Sequence, residues 1–163
     1  LRPQLSFPTQ QPELFDFQTG YGFDAMLSYN FMPQLGVYAG WGWNNFRIDD
    51  TAELGDWEVD ETGYSFGLRF TNPISNNLSY FVGAGGTYKH LEGEDDAGDL
   101  SWDSGHELGW EVQGGLILDL GGGFDLRPQI TYRSLSATAN LGPVETNMDL
   151  QYLSIGLALA KRF

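Results

Sequence analysis

Four residues around one polar segment of the chain could support nucleophilic catalysis. Ser104 and His106 are two positions apart, Glu107 follows them, and His90 lies at the other end of the segment. A serine nucleophile needs a histidine within hydrogen-bonding reach and a third group that orients the histidine. Alternate residues of a β-strand are about 6 to 7 Å apart at their Cα atoms, so contact between Ser104 and His106 is allowed but not implied. The main interpretation of His106 is therefore a residue at the rim of a strand, and catalysis is a minor alternative.

Acidic residues dominate the charge of the chain, which has 22 of them against 8 basic residues and a net charge of −14. Most lie in two long polar segments, as Asp49, Asp50, Glu53, Asp56, Glu58, Asp60 and Glu61 in the first and Glu92, Glu94, Asp95, Asp96, Asp99 and Asp103 in the second. The simplest interpretation is a solvated surface. Calcium is the alternative, because carboxylate oxygens suit hard cations, although residues 94–103 do not match the calcium-loop motif. No other cofactor is predicted, and the negative charge disfavours nucleic acid as a partner.

Apolar and polar residues alternate along most of the chain, which indicates β-strands with two distinct faces. Short connections rich in Pro, Gly and Asn alternate with long polar connections. Cutting the chain at these connections leaves about eight strands, near residues 2–7, 15–31, 35–48, 62–71, 78–90, 106–120, 124–140 and 150–163. An even number of antiparallel strands, with short turns at one end and long loops at the other, is typical of outer-membrane barrels.

Bulky side chains lie on one face of the predicted strands, and small or polar side chains lie on the other. In the strand near residues 62–71, Tyr64 and Phe66 share one face, and Ser65 and Gly67 share the opposite face. An eight-stranded barrel has little room inside, so small side chains suit its lumen and bulky ones suit lipid. No run of residues approaches the roughly 18 apolar positions of a membrane helix. The sequence therefore predicts that the chain crosses a membrane as strands.

The final strand carries the most specific pattern. Leu157, Leu159 and Phe163 lie on one face of an alternating run that ends with the aromatic residue. This pattern resembles the carboxyl-terminal signal of small eight-stranded outer-membrane barrels, the type of outer-membrane proteins A and X and the opacity-like proteins. The resemblance implies that the barrel-assembly machinery reads these residues, and that outer-membrane lipid surrounds the barrel of a Gram-negative bacterium. It implies one all-β domain over residues 1–163, an eight-stranded antiparallel transmembrane barrel with short periplasmic turns and long extracellular loops.

Charged residues should also lie inside the barrel. The alternation places these residues in the lumen: Arg2, Asp16, Asp24, Arg69, Lys89, Glu107, Glu111, Asp119, Asp125, Arg127 and Arg133. Buried charges must be paired, so we predict a network of ion pairs that plugs the barrel. In particular, Arg69, Arg127 and Arg133 should have carboxylate partners such as Glu111 or Asp125. A wide pore is not expected, because side chains generally fill an eight-stranded interior.

These features favour a non-enzymatic protein that acts in structure or in surface interactions through its acidic extracellular loops. A protein partner or a larger membrane complex would fit this role. The alternative is a binder or transporter of small hydrophobic ligands, which would enter through the wall or the mouth of the barrel. Some small outer-membrane barrels are lipid A deacylases with a serine, a histidine and an acid, but there the histidine precedes the serine. Here Ser104 precedes His106.

Because the first residues lack a charged region followed by an apolar one, we expect a mature, processed chain.

Overall fold

In the computed structural model of this protein, the structure describes residues 1–10, 16–49, 57–94, 100–141 and 144–163. The strands in these ranges are β1 (Arg2–Gln10), β2 (Asp16–Phe17), β3 (Gly20–Asn30), β4 (Leu35–Asp49), β5 (Trp57–Pro73), β6 (Leu78–Glu94), β7 (Leu100–Asp103), β8 (Glu107–Gly121), β9 (Phe124–Leu141) and β10 (Val144–Lys161). No helix among these residues is long and apolar enough to cross a membrane.

The long strands close into a ring in which each strand pairs with its neighbours in the chain. β3, β4, β5, β6, β8, β9 and β10 follow one another as antiparallel pairs. β1 closes the ring by pairing with β10 on one side and with β3 on the other. β2 and β7 are short additional strands that pair with β4 and β6. The prediction of a closed eight-stranded antiparallel barrel is therefore confirmed, and in the described residues each of the eight long strands pairs with a neighbour on both sides.

The predicted strand ends differ from the observed ones on the side of the long connections. β5 begins at Trp57 and β6 continues to Glu94, so the two strands stay paired as far as Glu58 and Glu94. The predicted strand over residues 15–31 is interrupted between β2 and β3. The loop predictions are therefore wrong at their ends, and these acidic residues lie on strands: Asp49, Glu58, Asp60, Glu61, Glu92, Glu94 and Asp103. Charged residues can continue a ladder where the hairpin projects beyond lipid, so polarity alone does not mark a loop.

The two faces of the wall have opposite polarity. Leu27 and Leu108 point outward and are 79% and 70% exposed, whereas Ser6 and Thr131 point inward and are buried. A soluble protein would place the leucines inside and the polar residues outside, because burial of apolar area away from water drives folding. An apolar outer face and a polar interior are the arrangement of a barrel surrounded by lipid.

Two glycines on neighbouring strands make space inside the barrel for a large ring. Gly67 on β5 and Gly85 on β6 are partners in the ladder. A Cβ atom on either residue would lie 2.7 Å from the hydroxyl oxygen of Tyr38, closer than real Cβ contacts. The absent side chains thus let the buried Tyr38 ring cross the lumen beside Arg69.

Candidate functional site

The centre of the lumen is an ion-pair network around Arg133 of β9. The Arg133 Nε donates to Glu111 Oε2 at 2.8 Å, and its Nη2 donates to Asp24 Oδ2 at 2.9 Å. Arg2 forms a second ion pair with Asp24, and the Arg133 Nη1 donates to the hydroxyl of Tyr152 at 3.4 Å. All five side chains are buried. The network therefore links β1, β3, β8, β9 and β10 across the barrel with charge-assisted hydrogen bonds.

A second group of polar contacts lies above this centre, toward the long connections. Glu61 forms an ion pair with Lys89, and the hydroxyl of Tyr152 donates to Glu61 Oε1 at 2.7 Å. The Asn44 side chain donates to the same carboxylate at 3.3 Å and accepts from Gln4 at 2.7 Å. Glu61 is a lumen residue that the sequence reasoning assigned to a loop. The alternation of the sequence could have predicted this position, because Glu61 is on the same face of β5 as Gly63, Ser65, Gly67 and Arg69.

Apolar side chains close the lumen above the polar groups. They are buried residues from five different strands: Phe46, Val59, Leu91, Leu135 and Leu150. The Phe46 ring packs edge-on against Tyr152 with their centroids 5.3 Å apart. The sequence did not predict this layer. Each strand contributes a single inward apolar residue next to a polar segment, and the five residues come together only when the barrel closes.

Most residues that the sequence placed in the lumen are buried there: Arg2, Asp24, Arg69, Lys89, Glu111, Asp125 and Arg133. Arg127 is half-buried and pairs with Asp125 at 2.8 Å, and Arg133 has the predicted partner Glu111. Glu107 and Asp119 are half-buried near the two ends of the barrel. The side chain of Asp16 lies outside the described residues.

Arg69 differs from its prediction. Within the described part of the chain it has no carboxylate partner at ion-pair distance. Its Nη2 donates to Gln113 Oε1 at 3.1 Å, and its guanidinium lies over the rings of Tyr38 and Phe81, at 5.3 and 4.5 Å from their centroids. Cation–π attraction thus replaces the expected ion pair, because aromatic faces carry partial negative charge.

This interior predicts a barrel that does not conduct ions steadily. Buried ion pairs fill the centre of the lumen, and the apolar layer closes it toward the long connections. In planar-bilayer recordings we expect the purified protein to show little or no sustained current, because side chains fill an eight-stranded interior. Large and stable open levels from the unmodified protein, absent from control membranes, would contradict a plugged lumen.

Acidic residues of β5, β6 and β7 form two rows across the strands at the end with the long connections. We call this surface the acidic rim, and we define it by Glu58, Asp60, Glu92, Glu94 and Asp103. Asp60, Glu92 and Asp103 are opposite one another in register on β5, β6 and β7, and Glu58 is opposite Glu94. Like charges directly opposite each other destabilise a strand pair. The rim therefore carries repulsion that a cation or a basic group would relieve.

Among the described side chains, His90, Arg47 and Asn45 contact carboxylates of the rim. The His90 Nε2 lies 3.2 Å from Glu92 Oε1. The Arg47 Nε lies 3.5 Å from Glu58 Oε1, and both side chains are largely exposed. The Asn45 amide donates to Glu58 at 3.2 Å and to Asp60 at 2.8 Å. The outward ring of Tyr64 marks the upper part of the apolar wall, and Asp60 lies four residues, or about 13 Å, further along the strand. The rim thus lies beyond the described aromatic residues of the apolar wall, on the side of the long connections.

Several of the predicted interaction residues lie outside the described part of the chain: Asp50, Glu53, Asp56, Asp95, Asp96 and Asp99. For Asp49, Glu94 and Asp103 the structure describes the strand position and not the side chain. Among the residues that it does describe, no group of three or more histidine, aspartate or glutamate side chains is arranged to hold a metal ion. Calcium at the acidic loops therefore stays a prediction.

The residues considered for nucleophilic catalysis have other partners. The Ser104 hydroxyl donates to the Gly105 carbonyl at 2.9 Å and accepts from the Leu91 amide at 3.0 Å. His90 Nδ1 and His106 Nε2 are 3.2 Å apart. Ser104 thus stabilises the turn into β8, and the two histidines contact each other.

The carboxyl-terminal residues singled out by the sequence lie on the outer face. Leu157 and Leu159 of β10 are about half exposed, and Phe163 is fully exposed beyond the strand. Arg162 points the other way and pairs with Asp119 at 2.5 Å and Asp125 at 3.2 Å. The residues of the predicted assembly signal are therefore accessible from the membrane, and their recognition stays a prediction.

Solved structures share this architecture at low sequence identity. Neisserial surface protein A is 13% identical, with 99% of this chain and 95% of that one covered and a TM-score of 0.66. The outer membrane protein OprG from Pseudomonas aeruginosa is 14% identical, with 99% and 93% covered and the same TM-score of 0.66. Ail, the attachment invasion locus protein of Yersinia pestis, is 12% identical, with 97% of both chains covered and a TM-score of 0.51.

No curated protein matches the sequence significantly. The family model described as the outer membrane protein beta-barrel domain matches residues 6–163. That match covers nearly the whole chain, and the closed barrel, its apolar outer face and its polar lumen agree with it. The protein therefore belongs to the outer membrane protein beta-barrel domain family, and its place is the bacterial outer membrane.

Proposed function

We propose that this protein is a non-enzymatic surface-interaction barrel whose acidic rim binds a basic partner, namely a lysine- and arginine-rich segment of another protein. The observation that carries the proposal is the register of β5, β6 and β7. It places Asp60, Glu92 and Asp103 side by side, and Glu58 beside Glu94, at the extracellular end of the wall. A basic segment lying across these strands would relieve the repulsion that the rows create.

The interior supports this role over transport of hydrophobic ligands. The groups at the centre of the lumen are charged or polar, and they contact one another directly. A hydrophobic ligand needs a chamber lined mostly by apolar side chains. The environment of Ser104 supports a non-enzymatic role in the same way, since its hydroxyl is occupied by backbone groups of Leu91 and Gly105.

The similar structures agree with a role at the cell surface. One is named a surface protein and another an attachment protein. These barrels share the fold at 12 to 13% sequence identity. The residues that would contact a partner must therefore be argued from this chain itself. For this protein we assign the partner to the acidic rim; the acidic residues 95, 96 and 99 lie between β6 and β7 in the sequence and add negative charge to that segment of the chain.

Removing charge from the rim should weaken binding of a polycation. We expect the combined variant Glu58→Gln, Asp60→Asn and Glu92→Gln to bind poly-lysine roughly three- to 150-fold more weakly, since each exposed ion pair contributes about 0.2 to 1 kcal/mol. The measurement uses the protein in nanodiscs of zwitterionic lipid, with binding followed at low and high salt. The difference should shrink at high salt, because screening weakens exposed charge pairs.

A matched single substitution controls for the loss of charge itself. Asp60→Asn removes one carboxylate from the rim, and Asp119→Asn removes one at the opposite end of the barrel. Only the first should weaken poly-lysine binding, and both should leave the heat-modifiable, folded form intact. Equal binding by the combined variant and the unmodified protein would overturn the proposal. Calcium titration of the same proteins tests whether the rim retains a divalent cation instead.

A further inference from the structure

Arg69 is a buried cation whose charge is not matched by a carboxylate in the described residues. Among the side chains that the structure describes, the buried carboxylates of the lumen are Asp24, Glu61, Glu111 and Asp125. Each of them forms its ion pairs with cations other than Arg69. A buried charge without an opposite charge is costly, so Arg69 calls for a physical explanation.

The donors of Arg69 are also incompletely used. A guanidinium has five N–H donors, and here the Nη2 donates to Gln113 while the buried Nε has no acceptor among the described residues. The rings of Tyr38 and Phe81 attract the charge at its faces, but they do not accept the hydrogen bonds in its plane. The buried Nε of Arg127, on β9, likewise has no hydrogen-bond acceptor among the described residues.

Both arginines line one cavity at the short-turn end of the barrel. Its volume is about 650 Å³, within the range of small-molecule sites. The charged groups on its wall are four cations and one carboxylate, namely Arg69, Arg127, Lys161, Arg162 and Asp125. Residues with hydroxyl or amide groups complete the polar lining, namely Ser28, Tyr29, Asn30, Thr71 and Ser79. A smaller chamber of about 40 Å³, lined again by Arg69 and Arg127, lies deeper on the same side.

We propose that this cavity binds a small oxyanion, a carboxylate or a phosphate group of a periplasmic molecule, at the guanidinium groups of Arg69 and Arg127, whose side chains line it. Arg127 and Arg162 pair with Asp125 there, and the four cations still exceed the single carboxylate, so the wall is positive in a chain whose net charge is −14. Guanidinium groups suit this ligand because their fixed N–H donors match the geometry of carboxylate and phosphate oxygens. The short-turn end faces the periplasm, so the ligand enters from there. The site is at the opposite end of the barrel from the acidic rim and is independent of it.

The test follows the arginine side chains directly by NMR. The unmodified protein in zwitterionic nanodiscs is titrated at constant ionic strength with acetate in one series and with inorganic phosphate in another. We expect the Nε–H signals of Arg69 and Arg127 to shift and saturate, and that of the exposed Arg47 to stay in place. Saturation with acetate alone identifies a carboxylate ligand, saturation with phosphate alone identifies a phosphate ligand, and saturation with both supports oxyanion binding in general.

Substitution separates binding at Arg69 from a general effect of salt. Arg69→Gln should weaken the binding by about tenfold or more, because a hydrogen bond to a charged group is lost, whereas Arg47→Gln should leave it unchanged. Folding of each variant is checked by its heat-modifiable mobility. If Arg69→Gln does not fold, Arg69→Lys serves instead, since it keeps the charge and removes the planar guanidinium donors. The proposal is overturned if neither anion gives a saturating shift, or if a folded Arg69 variant binds as the unmodified protein does.

Discussion

Replacing Arg133 with methionine should destabilise the barrel by about 3 to 5 kcal/mol, since a buried ion pair that loses one partner leaves an uncompensated charge. Arg133 pairs with both Glu111 and Asp24. In the variant Asp24 keeps its ion pair with Arg2, whereas Glu111 loses its ion pair with Arg133 and keeps the Ser65 hydroxyl, at 3.4 Å, as a neutral hydrogen-bond donor. The measurement is urea unfolding in lipid vesicles, followed by tryptophan fluorescence.

Arg47→Met is the matched control for this substitution. Arg47 lies on the outer wall and forms an exposed ion pair with Glu58 at 3.5 Å, so its loss should cost less than about 1 kcal/mol. The double variant Arg133→Met with Glu111→Leu should recover part of the lost stability, because it removes the unpaired carboxylate as well. Equal unfolding midpoints for Arg133→Met and Arg47→Met would contradict a structural role for the central network.

Replacing Phe163 with alanine should lower, several-fold, the amount of folded barrel that reaches the outer membrane. Phe163 is fully exposed beyond the end of β10, so its ring adds little packing to the folded barrel. Its expected role is recognition by the assembly machinery, as the resemblance of Leu157, Leu159 and Phe163 to the family signal implies. The measurement is the heat-modifiable form in isolated outer membranes, compared with refolding of the purified variant in detergent.

Phe124→Ala is the control for the loss of an outward aromatic ring at the same end of the barrel. Phe124 begins β9, and the Lys161 ammonium lies 4.1 Å from its ring centroid. We expect this variant to assemble in normal amounts, and both variants to refold in detergent. If the Phe163 and Phe124 variants reach the outer membrane equally well, the terminal signal has no part in assembly.

The strands and their two faces are local properties, and the sequence alone predicted them. Side chains alternate with a period of two along any strand, so the inward placement of Ser65 and the outward placement of Tyr64 follow from residue order. The number of strands followed from the spacing of turns. The long connections were harder to divide, because Glu61 and Glu92 are polar enough to resemble loop residues while they lie on paired strands.

Only the tertiary structure decided the contacts between residues that are far apart in the chain. Glu111 and Arg133 face each other because β8 and β9 pair in one register, and Asp24 joins them only because the ring closes. Parity placed Arg69 inside the barrel, but its neighbours proved to be Gln113 and two rings, since the closed ring sets which strands face each other. Residue order determined which face each side chain occupies, whereas closure and register decided what that side chain touches.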